Sequence, residues 1–163
     1  VIPQTTTQSA ISIRLRRWFA APRENVFRAW TNPEAIKNWW CPAGWAPAEI
    51  EIDLRVTGRY RIGMRDRESG LLVSVYGHFL EVHTPERLVY TWRWENAFHH
   101  MPETRVTVQF VEHGTGTEVV LSHEDLPEIG VCLQHRAGWI AAWNRMEEAC
   151  LQPRPSQPFG GSF

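Results

Sequence analysis

The sequence has no surplus of either charge: 17 Lys and Arg stand against 18 Asp and Glu, a formal net charge of −1 over 163 residues. Such a chain has no field that would gather nucleic acid or an acidic membrane surface. Cysteine is scarce. Cys41, Cys132 and Cys150 are odd in number and widely spaced, which argues against a disulfide framework and fits a reducing compartment. No apolar run of ~18 residues and no charged-then-apolar leader is present, so the expectation is a soluble cytoplasmic protein with no membrane span.

Catalytic signatures are missing too. No serine sits in a Gly-x-Ser-x-Gly elbow, and Gly114-Thr115-Gly116 reads as a hairpin turn rather than a phosphate cradle. Among the seven histidines, His99 and His100 are adjacent, and neither His78 with His83 nor His113 with His123 has the spacing of a zinc helix. No metal and no cofactor are expected.

Large aromatic residues, in contrast, are abundant: nine Trp, seven Phe and three Tyr. Each buries about 150–250 Å², and a domain of this size buries roughly 70% of the surface its unfolded chain exposes. One core is expected, with the aromatics either filling it or walling a pocket inside it.

Residues 1–9 have nothing to bury and read as a flexible arm. Ile11, Ile13 and Leu15 alternate with Ser12, Arg14 and Arg16, the period of a half-buried strand that continues to Phe19. Pro22, at the first position of a helix, opens residues 22–30, with Val26, Phe27 and Trp30 at helical spacing. Asn32 caps a second helix carrying Pro33 and Glu34 in its first turn and running through Ile36, Trp39 and Trp40; Pro42 and Gly44 stop it.

From Ala48 to Glu124 strands alternate with turns at Thr57-Gly58, Glu68-Ser69-Gly70, Thr84-Pro85-Glu86 and Gly114-Thr115-Gly116. Short connections imply an antiparallel meander. Leu88, Tyr90, Trp92 and Trp94 share a face of one strand, and residues 95–102 form a longer loop. After Pro127 the period turns helical, with Cys132, His135, Trp139, Ala142, Trp143 and Met146 on one stripe of a helix over about 129–150. A helix that long crosses a whole sheet and must be clasped by it. Residues 151–163 read as a flexible tail.

Five ordered segments carry a resemblance to a known family: Arg17-x-Phe19-x-Ala21-Pro22 with the run to Trp39-Trp40-x-Pro42, Asp53-x-Arg55-x-x-Gly58-x-Tyr60-Arg61, Gly77-x-Phe79-x-Glu81-Val82, Pro85 to Trp92, and His135-x-x-Gly138-Trp139. Over residues 10–150 the chain resembles the bacterial START-like (SRPBCC) branch similar to the activator of the ninety-kilodalton heat-shock chaperone ATPase. The resemblance implies an α+β helix-grip fold: two short helices after strand 1, and a curved antiparallel sheet of about six to seven strands around a long C-terminal helix. It also implies one domain over 10–150 and, from a superfamily of lipid carriers, polyketide cyclases, hormone binders and chaperone activators, no single function.

The inward positions of that fold are the site candidates. Trp40, Tyr60, Met64, Trp92, Phe110, Trp139 and Trp143 fall there by strand parity or helix stripe, and His123 and His135 are either hydrogen-bonded core histidines or groups that anchor a ligand or move a proton. Arg17, Asp53 and Glu81 occupy family motif positions and, if buried, must pair with one another. The facing of Glu81 and the reactivity of Cys41 stay open.

The leading expectation is a module that binds a small hydrophobic molecule, aromatic or polycyclic, between sheet and helix. An enzyme of cyclase, hydrolase or isomerase type using the same cavity, or a chaperone-ATPase regulator, is the alternative. A chaperone partner is disfavoured, since the separate amino-terminal domain of full activators is not in this sequence, and a homodimer is left open.

Overall fold

A computed structural model describes residues 10–96 and 100–151. The elements run β1 (Ile11–Phe19), α1 (Arg23–Thr31), α2 (Pro33–Ile36), β2 (Trp45–Ile52), β3 (Arg59–Asp66), β4 (Leu72–His83), β5 (Arg87–Glu95), β6 (Thr104–His113), β7 (Gly116–Leu126) and α3 (Ile129–Cys150). The arm over 1–9 and the tail beyond 151 lie outside the described residues, while Leu151 itself is buried in the core.

All seven strands form one antiparallel sheet in the order β1-β7-β6-β5-β4-β3-β2. The sheet curves around α3, giving the α+β helix-grip fold that the residue pattern implies. Successive hairpins set most of the order, and β1 closes it by pairing with β7, Leu15 opposite Leu121 and Phe19 opposite Thr117. Helices α1 and α2 carry the chain from that edge to the opposite one.

The α3 stripe meets the sheet as its spacing requires. Cys132, Trp139, Ala142, Trp143 and Met146 are buried. Phe19 meets Trp143 edge-on at 5.9 Å, and Trp30 of α1 stacks on Trp139 at 5.7 Å, aromatic contacts worth about 0.5–1.5 kcal/mol each beyond the area they bury. No helix among the described residues is long and apolar enough to cross a membrane.

Local chemistry moves some boundaries. Helix α1 starts at Arg23, with Pro22 as its N-cap residue, one residue later than the expected start at Pro22. Asn32 does cap α2, accepting from the amides of Glu34 and Ala35 at 3.0 and 3.2 Å. That helix nevertheless lasts four residues, not the longer run expected through Trp40. Beyond Ile36 the chain tightens into turns, the amides of Asn38 and Trp39 donating three residues back to Ala35 and Ile36 at 3.1 and 3.2 Å, and Trp39 points inward with its indole N–H on the Ala29 carbonyl at 2.9 Å.

Burial on β5 exceeds what alternation gives, because Val89 and Thr91 are buried as well as Leu88, Tyr90 and Trp92. This strand is fourth of seven, covered by neighbours on both sides. A register shift between Phe79 and Glu81 also breaks the parity of β4. Phe79 is buried, and beyond the bulge Glu81 turns to Arg87 at 2.9 Å and His83 at 3.7 Å.

Gly77 marks a close backbone approach between β4 and β5: a Cβ there would collide with the Thr91 carbonyl oxygen, which accepts the Tyr60 hydroxyl at 2.6 Å. Gly77→Ala is therefore expected to destabilise the fold by at least about 2 kcal/mol, since the obstacle is backbone and not a flexible side chain. Urea unfolding followed by far-UV circular dichroism checks this. A midpoint equal to wild type would show that the approach relaxes without cost.

Candidate functional site

Along one flank of α3 the sheet stands off from the helix. Val131, Gln134, His135, Gly138, Trp139, Ala141, Ala142 and Arg145 recur at helical spacing along that flank. Opposite them stand Met64 of β3, Trp92 and Trp94 of β5, His100 and Met101 after β5, and Trp40 and Pro42 after α2. These residues enclose an open cleft of about 490 Å³, within the usual range of small-molecule sites. Gly138, Ala141 and Ala142 keep it open, because at those positions the helix has almost no side chain to fill the gap.

Deeper in, the space closes. A void of about 30 Å³ survives between Trp30, Trp39, Tyr60, Phe79 and Tyr90, room for about one water. Trp40 and Trp92 wall both spaces, with ring centroids 5.5 Å apart, and Trp139 packs on each at 6.0 and 5.4 Å. The interior is thus divided into a nearly filled aromatic floor and an open outer cleft.

The structure distributes the sequence candidates among four places. Trp40, Met64, Trp92, His135 and Trp139 border the cleft. Tyr60 borders the inner void, where burial raises its hydroxyl pKa well above the ordinary value. Phe110 and Trp143 are packed in the core at 1% exposure each. His123 is fully buried behind the wall, 5.3 Å from the rings of both Trp92 and His135.

Trp94 and Arg145 also border the cleft and were not among the candidates. The parity of β5 already pointed to Trp94. Arg145 lies three residues beyond Ala142 on the stripe, but its charge reads as solvent-facing from sequence alone.

Both histidines are committed on both ring nitrogens. The Trp139 indole N–H donates to His123 Nδ1 at 3.3 Å, so that nitrogen carries the lone pair and the proton sits on Nε2, which donates to Thr104 Oγ1 at 2.8 Å. In His135 the tautomer is reversed. Nε2 accepts the Trp94 indole N–H at 3.1 Å, and Nδ1 donates to the Val131 carbonyl at 2.9 Å. Burial pushes the His123 pKa down to about 3, with His135 adding to the shift. Burial also lowers His135, against the pull of the Val131 carbonyl. Both are neutral at pH 7.

Arg145 Nε donates to the Trp39 carbonyl at 2.9 Å and one terminal nitrogen to the Trp40 carbonyl at 3.3 Å, tying α3 to the turn after α2. Cys41, in the same turn, has its thiol pKa raised to about 11 by burial, against the lowering effect of Arg145 and Arg67, so it is not a thiolate at neutral pH. The Trp92 indole N–H has no acceptor among the described residues. Nor do three His, Cys, Asp or Glu side chains converge anywhere among those residues in a way that would hold a metal.

Arg17, Asp53 and Glu81 do not form the mutual network that burial would have required. Arg17 donates to Asn144 at 2.8 Å, Asp53 pairs with Arg55 at 2.8 Å and Glu81 with Arg87 at 2.9 Å. Each is at least partly solvated, so each is satisfied locally.

Comparison with known proteins agrees with this architecture. Protein CV1439 of Chromobacterium violaceum is 27% identical, with a TM-score of 0.78 over 87% of this chain and 99% of its own. Protein NE0264 of Nitrosomonas europaea is 25% identical, with a TM-score of 0.70 over 86% and 94%. The AHSA1 protein of Silicibacter pomeroyi, at 24% identity and a TM-score of 0.71 over 85% and 96%, shares the fold. No curated protein matches the sequence. The family model described as activator of Hsp90 ATPase homolog 1-like protein matches residues 20–150, and the chain belongs to that family.

The neutral histidines set a pH dependence. Unfolded, His123 binds a proton near pH 6.5, whereas folded it does so only near 3. Stability is therefore complete above about pH 7 and is lost as pH falls from 6.5 towards 3, by up to about 1.4 kcal/mol per pH unit for one such histidine. Urea midpoints at pH 7.5, 6.5 and 5.5 should fall in the wild type and fall less steeply in His123→Gln. Equal slopes would mean that His123 takes up its proton at the same pH folded and unfolded, so that burial does not hold it neutral.

Proposed function

We propose that this family member holds a small hydrophobic molecule, aromatic or polycyclic, in the cleft between β3, β5 and α3. Its fold is one that in general holds hydrophobic ligands. The observation that carries the finer reading is the composition of the wall: four indoles, Trp40, Trp92, Trp94 and Trp139, around about 490 Å³ of open space. Flat apolar faces at fixed positions favour a flat apolar guest, because rings held rigid by their neighbours lose little freedom on binding. A volume of this size suits a guest of about two or three fused rings.

The histidine geometry supports binding over proton-transfer catalysis. A general base needs a free lone pair within reach of the proton it takes. His123 and His135 each give theirs to an indole N–H and spend their own proton on a protein acceptor. Turnover by a cyclase, hydrolase or isomerase route through either imidazole would first require a tryptophan to swing away.

Titration with a neutral planar aromatic such as anthracene or a flavone tests this reading. Intrinsic tryptophan fluorescence should change saturably. At about a hundred times Kd the bound guest adds about 2.7 kcal/mol of stability, raising Tm by about 5–10 °C in a chain of this size. A panel of such compounds that leaves both fluorescence and Tm unchanged would remove the proposal.

A further inference from the structure

We infer that the guest of this cleft is an aromatic carboxylate, bound with its charged group against Arg145 at the end marked by Pro42. The inference rests on the cleft being a ligand site and adds the chemistry of the ligand. Among the described residues Arg145 is the one cation on the cleft wall, and none of their carboxylates forms an ion pair with it.

Its plane is already fixed. Two of its five N–H donors go to the carbonyls of Trp39 and Trp40, which leaves donors on the terminal nitrogens for an acceptor outside the turn. A guanidinium held by backbone carbonyls loses little freedom when it pairs with a planar oxyanion. Its half-buried setting also screens the pair less than open solvent would.

A further observation points the same way. Charge is arranged along the groove: Glu128 borders the opposite end of the α3 face, about 25 Å of helix away from Arg145. A carboxylate is repelled there and attracted at Arg145, so the guest has one favoured direction.

A pair of probes sharing one ring system, naphthalene carboxylate and naphthalene carboxamide, separates charge from shape. Tryptophan fluorescence titration of the wild-type chain should give a Kd about tenfold lower for the carboxylate. Raising salt from about 50 to about 500 mM should weaken the carboxylate several-fold and leave the amide unchanged. In Arg145→Gln the ratio of the two affinities should fall to about one, whatever the absolute affinity, and Arg145→Lys should restore part of the preference.

Equal binding of both probes to wild type, or a carboxylate preference that survives Arg145→Gln, overturns the assignment of the anion while leaving the cleft as a ligand site. So does a carboxylate affinity indifferent to salt, a result that needs no variant to fold. Failure of both probes to bind wild type overturns the ligand site and this inference together.

Discussion

The packing of one face of α3 against the aromatic lining of the sheet is the contact from which the other features follow. Trp139 and Trp143 sit one helical turn apart, the first stacked on Trp30 and the second edge-on to Phe19. These rings set how closely the helix approaches β1 and β7, and therefore how far it stands from β3 and β5. An interior packed to crystal-like density on one side of a helix leaves the other side dependent on side-chain size. There the helix carries Gly138, Ala141 and Ala142, and the space remains open.

The same cluster decides the chemistry of its polar groups. Indole N–H groups enclosed by rings need acceptors. Trp139 and Trp94 find theirs on two imidazoles, Trp30 on the Tyr90 hydroxyl and Trp39 on a backbone carbonyl. Each histidine is thereby held neutral in one tautomer, and the polar network acts as scaffold for the aromatic wall. Arg145 differs from these because its carbonyl partners carry no full charge, which leaves the guanidinium as a localised positive group at one end of an otherwise apolar groove.

Much of the architecture was legible in short-range signals. Alternation at Ile11, Ile13 and Leu15 marks β1, the Asn32 cap and Pro33 mark the start of α2, and the stripe from Cys132 to Met146 marks α3. Each is a property of residues a few positions apart. The misreadings occurred where geometry beyond the local pattern intervened: α2 tightens into turns after Ile36, Glu81 leaves its parity because a bulge adds a residue, and Val89 and Thr91 are buried because β5 is central in the sheet. Among the site candidates, parity and stripe brought Trp40, Met64, Trp92, His135 and Trp139 to one groove. The same rules cannot tell an inward residue that borders space from one that fills it, as Phe110 and Trp143 do.

By itself, then, the sequence determined the order of the elements, the helix-grip class and the stock of aromatic rings from which a wall is built, because caps, turns and periodicity act within a few residues. Only the tertiary structure decided where the interior is hollow, which nitrogen of each histidine bears its proton, and that Arg145 faces the groove. Those are matters of separation between elements far apart in the chain, and a local pattern of residues does not encode the width of a gap.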